Sequence, residues 1–369
     1  MRRAILLVLD GCGAGEAPDA ALFNDNDHPS TLKHVWDYCG GLNAPTLAGA
    51  GYFAAGGIET PVGLEGFQVE YGRLQEMSIG KDSVTGHWEM MGIHTKVGFP
   101  TYPQGFPSEL VSEFERRIGR KVLGNKPASG TAILAELGDE HLRTGSPILY
   151  TSADSVFQVA CHEEHVPIEQ LYEFCRIARE LCEAPHNVQR VIARPFLGSS
   201  STGFTRTERR KDFPLVAPPN LVDEIKDVYG IGVVPELFGG RGFRAVKRTQ
   251  NNSEHEGMLW DALESDARFV FANFEDFDML YGHRNDPIGF GKAFETFDSV
   301  LSELLSRMTG EDILILTADH GNDPTTPSTD HSREFVPFCV IQDGSGVNII
   351  GDSQGLWKVG DVVRAWLNP

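Results

Sequence analysis

Four places in the chain combine residue types that handle metals and phosphates. The run Thr317-Ala318-Asp319-His320-Gly321-Asn322-Asp323 sets a carboxylate beside an imidazole, and Asp330-His331 follows, with His331 eleven residues beyond His320. That spacing is too long for one helical turn and suits the two ends of a loop. Asp10 directly precedes Gly11-Cys12-Gly13-Ala14-Gly15, and Asp278 and His283 stand five residues apart. Lys81, Asp82, Ser83, Thr85 and His87 crowd five polar groups into seven positions. Three Asp and three His suffice for two divalent ions, each with a position left for substrate. Mixed carboxylate and imidazole ligation suits Mn²⁺ or Zn²⁺ better than Ca²⁺ or Mg²⁺. Two such ions, about 4 Å apart, stabilise the attacking and leaving oxygens of an in-line phosphoryl displacement. A serine touching one of them can lose its proton near neutral pH and act as nucleophile.

Each residue also has a plainer reading. An Asp-His pair after a strand is commonly a turn with a hydrogen-bonded histidine, and Asp10 can close an Asx-turn. On spacing alone Ser83 reads better as the N-cap of a helix beginning near Val84 than as a phosphate acceptor at that helix's N-terminus. The metal reading gains because several strands end in such residues.

The elements that must position them follow from apolar patterning. Runs at 4–9, 69–75, 230–234, 268–273, 312–316 and 336–341 read as strands, with helices near 254–263 and 294–308 and a closing helix to Trp366. This alternation predicts an α/β fold with ligands at the carboxyl ends of its strands. The spacing after the first strand is G-x-G-x-G, which argues against a dinucleotide fingerprint. Residues 16–68 read as a long decorated connection. From 98 to 212 the composition changes, with amphipathic helices at 108–118 and 168–181 and strands near 147–150 and 190–193. We read 1–97 with 213–369 as the catalytic core and 98–212 as an inserted α/β cap domain. Arg190, Arg194 and Arg206 of the insert suit phosphate through bidentate donation; ordinary solvated charge is the alternative for each.

The chain has 369 residues, 41% hydrophobic and 23% charged, with 32 basic against 52 acidic side chains for a net charge of −20. That balance argues against nucleic acid and acidic membrane surfaces as main partners, while bound divalent cations can still reverse the charge locally for a phosphate substrate. Six cysteines without CxxC spacing suggest reduced thiols and a cytoplasmic protein. The apolar run 4–9 is too short for a signal-peptide core, and no later segment reads as a membrane span.

The motifs also carry a family resemblance. Asp10-Gly-x-Gly-x-Gly-Glu-Ala-Pro-Asp19, Gly80-Lys-Asp-Ser-Val-Thr-Gly-His-Trp-Glu89, Gly124-Asn-Lys-Pro-Ala-Ser-Gly130, Arg190-Val-Ile-Ala-Arg-Pro-Phe196, Asp278-x4-His283-Arg and Ala318-Asp-His-Gly-Asn322 with Asp330-His331 run through almost the whole chain. On them the chain resembles the phosphopentomutases, a family of the alkaline-phosphatase superfamily. The Ala-Asp-His-Gly-Asn piece marks only the superfamily, whereas the Gly80–Glu89 and Gly124–Gly130 pieces are far more specific.

The resemblance implies an alkaline-phosphatase-like core with a mostly parallel sheet between helices, plus an inserted cap. It places one ion on Asp278, His283 and His331. The other falls to Asp10, Asp319 and His320 together with the phosphorylatable hydroxyl of Ser83, for which Thr85 is the rival. It implies Mn²⁺ as the usual metal and a bisphosphorylated sugar as activator. The implied reaction interconverts ribose 1-phosphate and ribose 5-phosphate, and the deoxyribose pair, through a phosphoenzyme and a bisphosphate. Ser152, Asp154, Val156, Arg190, Ile192 and Arg206 match the family's sugar-phosphate site. Gly11 departs from a serine usual after the first metal aspartate. The rivals are a cofactor-independent phosphoglycerate mutase or phosphohydrolase of the same superfamily, and a non-catalytic metal-stabilised binding protein. Oligomeric state stays open.

Overall fold

Residues Arg3–Leu9 carry six consecutive apolar side chains, all fully buried. A strand of that composition is stable only where both faces are covered, which is the position of a central strand in a parallel sheet. In the structure, a computed structural model that describes residues 1–152 and 155–367, it takes that place. Its neighbours are Phe269–Phe274 on one side and Asp312–Thr317 on the other, both parallel to it. The sheet runs in the order Gly346–Gln354, Phe67–Gln75, Phe335–Asp343, Asp312–Thr317, Arg3–Leu9, Phe269–Phe274, Tyr229–Ile231. Only Phe335–Asp343 opposes the rest. This is the alkaline-phosphatase-like α/β core implied by the motifs.

The helix Pro287–Arg307 starts with Pro at its first position and Asp286 as cap, whose side chain accepts from Gly289 N–H. It buries Phe290, Phe294, Phe297, Leu301 and Leu304 along one stripe. That stripe meets Phe277 and Phe53, with ring centroids 5.0 and 5.6 Å from Phe294. The packing anchors the segment that carries Asp278.

The chain divides into two compact units, Met1–Gly98 with Ala217–Pro369, and Phe99–Val216. The second unit extends past 212 because Lys211–Pro214 forms a strand paired with Arg190–Ser199. Its sheet runs Leu123–Pro127, Ile148–Thr151, Val156–His162, Arg190–Ser199, Gly203–Arg206. Alternation along the strands gives it two apolar faces. Phe157, Val159, Val191 and Ala193 pack with Phe114 and Phe174 from the helices Ser108–Ile118 and Ile168–Leu181. Ile148, Tyr150, Ala160 and Phe196 pack with Ile133 and Leu134 from the helix Gly130–Thr144.

Three readings need correction. Residues 16–68, read as a long decorated connection with no element assigned, hold the helices Thr31–Cys39, Pro45–Gly49 and Tyr52–Ala55; their frequent Gly and Pro boundaries hid them. The strand expected at 230–234 is Tyr229–Ile231, and Val234–Leu237 is helical. Pro235 has no N–H for a ladder but suits a helix's first turn. The strand Phe335–Asp343 leads first into an edge strand, Gly346–Gln354, and only then into the closing helix Trp357–Leu367.

Candidate metal centre

Adjacent parallel strands in close register end together. Leu9 pairs with Phe274 and Val8 with Thr317, so Asp10, the segment leading to Asp278, and Asp319 all emerge at the carboxyl ends of neighbouring strands. Asp278 sits on a π-helical turn, Phe277–Tyr281, and His283 on the 3-10 turn Gly282–Arg284. These two tight turns bring together residues that a regular helix would set on different faces. The separation of His320 from His331 is closed by an antiparallel bridge between Gly321 and Ser332, whose N–H groups each donate to the other's carbonyl at 3.1 and 2.8 Å. The two imidazoles stack with centroids 3.9 Å apart.

Two groups of ligand atoms result. Asp278, His283 and His331 form one, with His283 Nε2 3.1 Å from Asp278 Oδ2 and 3.2 Å from His331 Nε2. In the other, His320 Nε2 lies 3.4 Å from Asp10 Oδ1, 3.2 Å from Asp319 Oδ2 and 3.2 Å from Ser83 Oγ. Asp278 reaches this group as well: ligand atoms of Asp10, Asp278 and His320 all lie within 4.8 Å of one another. Asp278 therefore stands between the two groups rather than in one alone.

The chemistry of these donors fits cations. Asp10 Oδ1 and Asp319 Oδ2 are buried and accept no hydrogen bond, which is costly for a carboxylate unless a positive charge faces it. His320 Nδ1 donates to Gly321 O at 3.1 Å and His283 Nδ1 to Thr329 O at 2.7 Å. Those bonds fix the tautomers that turn both Nε2 lone pairs inward. Burial, then Asp319 and Asp278, push Asp10 well above the usual carboxylate range. Burial opposes but does not prevent a depressed Asp278, which His331 and His283 hold down. Burial likewise fails to outweigh the attraction of Asp278 for a proton on His331, raised to about 9. Without a cation, a protonated histidine partly neutralises the carboxylates.

Ser83 begins the helix Ser83–Met90, and the reading of it as N-cap is overturned. Asp82 is the cap, accepting from Val84 N at 3.0 Å and Thr85 N at 3.3 Å. Thr85 completes the capping box: its hydroxyl donates to Asp82 O at 2.9 Å and accepts from Asp82 N at 3.3 Å. Ser83 is thus free of capping duty, while Thr85 is buried and occupied. Gly86 lets this helix approach, since a Cβ there would lie 2.3 Å from the Asp319 carbonyl oxygen. Gly86→Ala must displace the helix or the strand end. We expect a loss of about 1–3 kcal/mol of stability, read as a lower Tm by calorimetry, together with loss of metal-dependent activity.

Several supporting residues escaped the sequence reading. Asn273 Nδ2 donates to Asp10 Oδ2 and Asn322 Nδ2 to Asp278 Oδ1, each at 2.6 Å. Asn322 lies within the quoted motif, but Asn273 gave no signal beyond its place at a strand end. Arg333 is buried, bonds Asp19, Glu76 and the Gly80 carbonyl, and lies over the Phe23 ring. It ties the segment carrying His331 to the one preceding Ser83. Gly11, at φ +70°, would place a Cβ 3.0 Å from Asp278 Oδ1, so this backbone does not favour a side chain there.

In the second unit, Val156 and Arg190 open two parallel strands and pair in register, and Ile192 pairs with Gln158. Arg206 pairs with Phe196, which puts its backbone about 20 Å along the strand from Arg190. Arg190 Nη1 lies 3.8 Å from Asp212. Arg194 lies between the two along its strand and donates to Gln158 at 3.0 Å. Ser152 follows the strand Ile148–Thr151, and Asp154 lies outside the described residues.

Residues 225–362 match the model of the metalloenzyme superfamily. The chain is 51% identical over 348 residues to the phosphopentomutase of Dictyoglomus thermophilum, covering 92% of this chain and 88% of that protein. It is 47% identical over 373 residues to the phosphopentomutase of Clostridium novyi, covering 98% and 94%. Among solved structures it is similar to the PH0037 protein from Pyrococcus horikoshii, with TM-score 0.50, 16% identity and coverage of 100% and 97%; that likeness speaks for the fold alone. Among the described residues, no helix is long and apolar enough to cross a membrane.

Proposed function

Because this chain belongs to the phosphopentomutase family of metal-dependent phosphomutases, we propose that it interconverts ribose 1-phosphate and ribose 5-phosphate, and their deoxyribose counterparts, with Ser83 as phosphate acceptor. The observation that carries the role of Ser83 is its hydroxyl, 3.2 Å from His320 Nε2 and released from capping by Asp82. Asp278, His283 and His331 would hold one cation, and Asp10, Asp319 and His320 the other, with Asp278 in reach of both. When bound, the cations, Mn²⁺ in our reading, lower the pKa of the Ser83 hydroxyl and neutralise the transferred phosphoryl group.

The chain's own residues supply the rest. As the first residue of the helix Ser83–Met90, Ser83 presents its oxygen at the positive end of the helix dipole, which favours a phosphate. Asn273 and Asn322 each fix one oxygen of a metal aspartate, leaving orientation little freedom. The phosphorylated serine donates its group to the free hydroxyl of a sugar phosphate, giving a bisphosphate. Return of the other phosphoryl group to Ser83 completes the isomerisation, so a bisphosphorylated sugar recharges an enzyme that has lost its phosphate. We assign sugar-phosphate recognition to Ser152, Asp154, Val156, Arg190, Ile192 and Arg206. The small-molecule substrate and six free cysteines accord with a cytoplasmic enzyme.

The test is to incubate the protein with Mn²⁺ and ribose 1,5-bisphosphate and to follow the Ser83 peptide by mass spectrometry, with parallel assays on ribose 5-phosphate and 3-phosphoglycerate. Added phosphate on Ser83 and turnover of the pentose phosphate are expected. Turnover of 3-phosphoglycerate alone, or free phosphate as the main product, would overturn the assignment.

A further inference from the structure

His87 has no part in the ligand set, yet it is completely buried beside it. Its Nδ1 lies 2.8 Å from the carbonyl oxygen of Ser83 and 3.3 Å from Asp319 Oδ2. Both neighbours are acceptors, so Nδ1 must carry a proton. Nε2, at the far side of the ring, is buried without any hydrogen-bond partner. The ring stacks on Phe271, with centroids 5.7 Å apart and planes at 21°. Phe271 belongs to the strand Phe269–Phe274, which leads towards Asp278. Immediately before it on the helix, Gly86 removes the side chain that would hold the helix away from Asp319.

We propose that His87 is a positioning residue that joins the turn bearing Ser83 to the metal aspartate Asp319. Its Nδ1–H bonds to the Ser83 carbonyl, and the same positive ring edge faces Asp319 Oδ2. That carboxylate oxygen is held in place electrostatically while its lone pairs stay open to a cation. The Phe271 stack fixes the ring plane, so Ser83 and Asp319 cannot move independently. An interaction of this kind, one step behind a ligand, commonly contributes 10–100-fold to metal affinity or activity.

The inference rests on Ser83 as phosphate acceptor only for its effect on turnover; its effect on metal binding does not depend on that reading. Three variants separate positioning from space filling. In His87→Asn the amide nitrogen can take the place of Nδ1, whereas in His87→Gln the amide reaches the place of Nε2. His87→Ala removes both. Mn²⁺ titration by calorimetry of the metal-free protein and phosphate stoichiometry on Ser83 are read beside Tm. We expect Mn²⁺ affinity at one of two sites to fall on the order of 10–100-fold in His87→Ala and His87→Gln, with substantial recovery in His87→Asn. The KM for ribose 5-phosphate should stay close to that of the parent while kcat falls. Recovery by Gln rather than Asn would mean that Nε2 and not Nδ1 is the working atom, and this result, or unchanged Mn²⁺ affinity in a folded His87→Ala protein, would refute the proposal. If Ser83 itself takes no phosphate but Mn²⁺ affinity still follows the Asn-over-Gln order, the positioning role stands and the acceptor assignment falls.

Discussion

Ser83→Ala should abolish isomerisation of pentose phosphates while leaving the protein folded. Removing an attacking nucleophile typically costs several orders of magnitude in turnover, and on the order of 10⁴-fold or more is expected here. Stability should change little, within about 0.5 kcal/mol. Ser83 occupies the first helical position but supplies no cap, and Asp82 with Thr85 satisfies the free N–H groups without it. Ser83→Thr should keep activity, because the chemistry requires only an alcohol at that position. Thr85→Ala is the informative contrast. It removes half of a capping box, costing about 0.5–2 kcal/mol, and should lower Tm and activity together while phosphate still appears on Ser83. The measurement is kcat for ribose 5-phosphate isomerisation with mass spectrometry of the phosphopeptide. Phosphate on Thr85, or activity surviving Ser83→Ala, would reverse the roles given to these two residues.

What the sequence made legible was governed by period and by chemistry at strand ends. The run 4–9 and the stripe at Phe294, Phe297, Leu301 and Leu304 are strong periodic signals, and the structure uses them as a central strand and a buried helix face. The helices Ser108–Ile118 and Ile168–Leu181 appear at the expected residues, because both are amphipathic over three or more turns. Short elements escaped. Pro45–Gly49 and Tyr52–Ala55 are a single turn each, too brief to show a period. The edge strand Gly346–Gln354 is exposed along most of its length and so carries no apolar alternation. At the site, Asp10, Asp278, Asp319 and the histidines stood out because their types are rare in such places. Asn273 and Arg333 did not, and His87 stood out only as one of a crowd of polar groups, since their work is to hold other groups, and such contacts between distant segments leave no mark in local spacing. The choice between Ser83 and Asp82 as cap turned on one backbone conformation, extended at Asp82, which spacing cannot reveal.

Asp10→Asn should destroy metal-dependent activity and at the same time make the metal-free protein more stable. Burial and the nearby Asp319 and Asp278 carboxylates raise the pKa of Asp10 in the fold. A raised carboxylate stabilises the fold only below its unfolded pKa, and that contribution is lost as pH rises through the folded value. At neutral pH a charged Asp10 therefore opposes folding unless cations are bound. Asparagine relieves the repulsion and keeps an oxygen to accept the Asn273 bond that Asp10 Oδ2 now accepts. His331 works in the same direction: with its folded pKa at about 9, its stabilisation is complete below about 6.5 and disappears as pH rises towards 9. A cation entering that group must displace the His331 proton, so affinity should climb with pH up to about 9. The wild-type protein gains roughly 2.7 kcal/mol when Mn²⁺ stands at 100 times its Kd, and Asp10→Asn gains much less. The two melting curves should cross. Without metal, the variant melts above the wild type at pH 7 to 8, and the gap narrows towards pH 5; with Mn²⁺ the order inverts, and the Mn²⁺-induced rise in wild-type Tm grows with pH. Calorimetry with and without Mn²⁺ across that range decides the matter. A variant that melts lower than wild type in the absence of metal would show that the Asp10 carboxylate is there to hold the fold, not an ion.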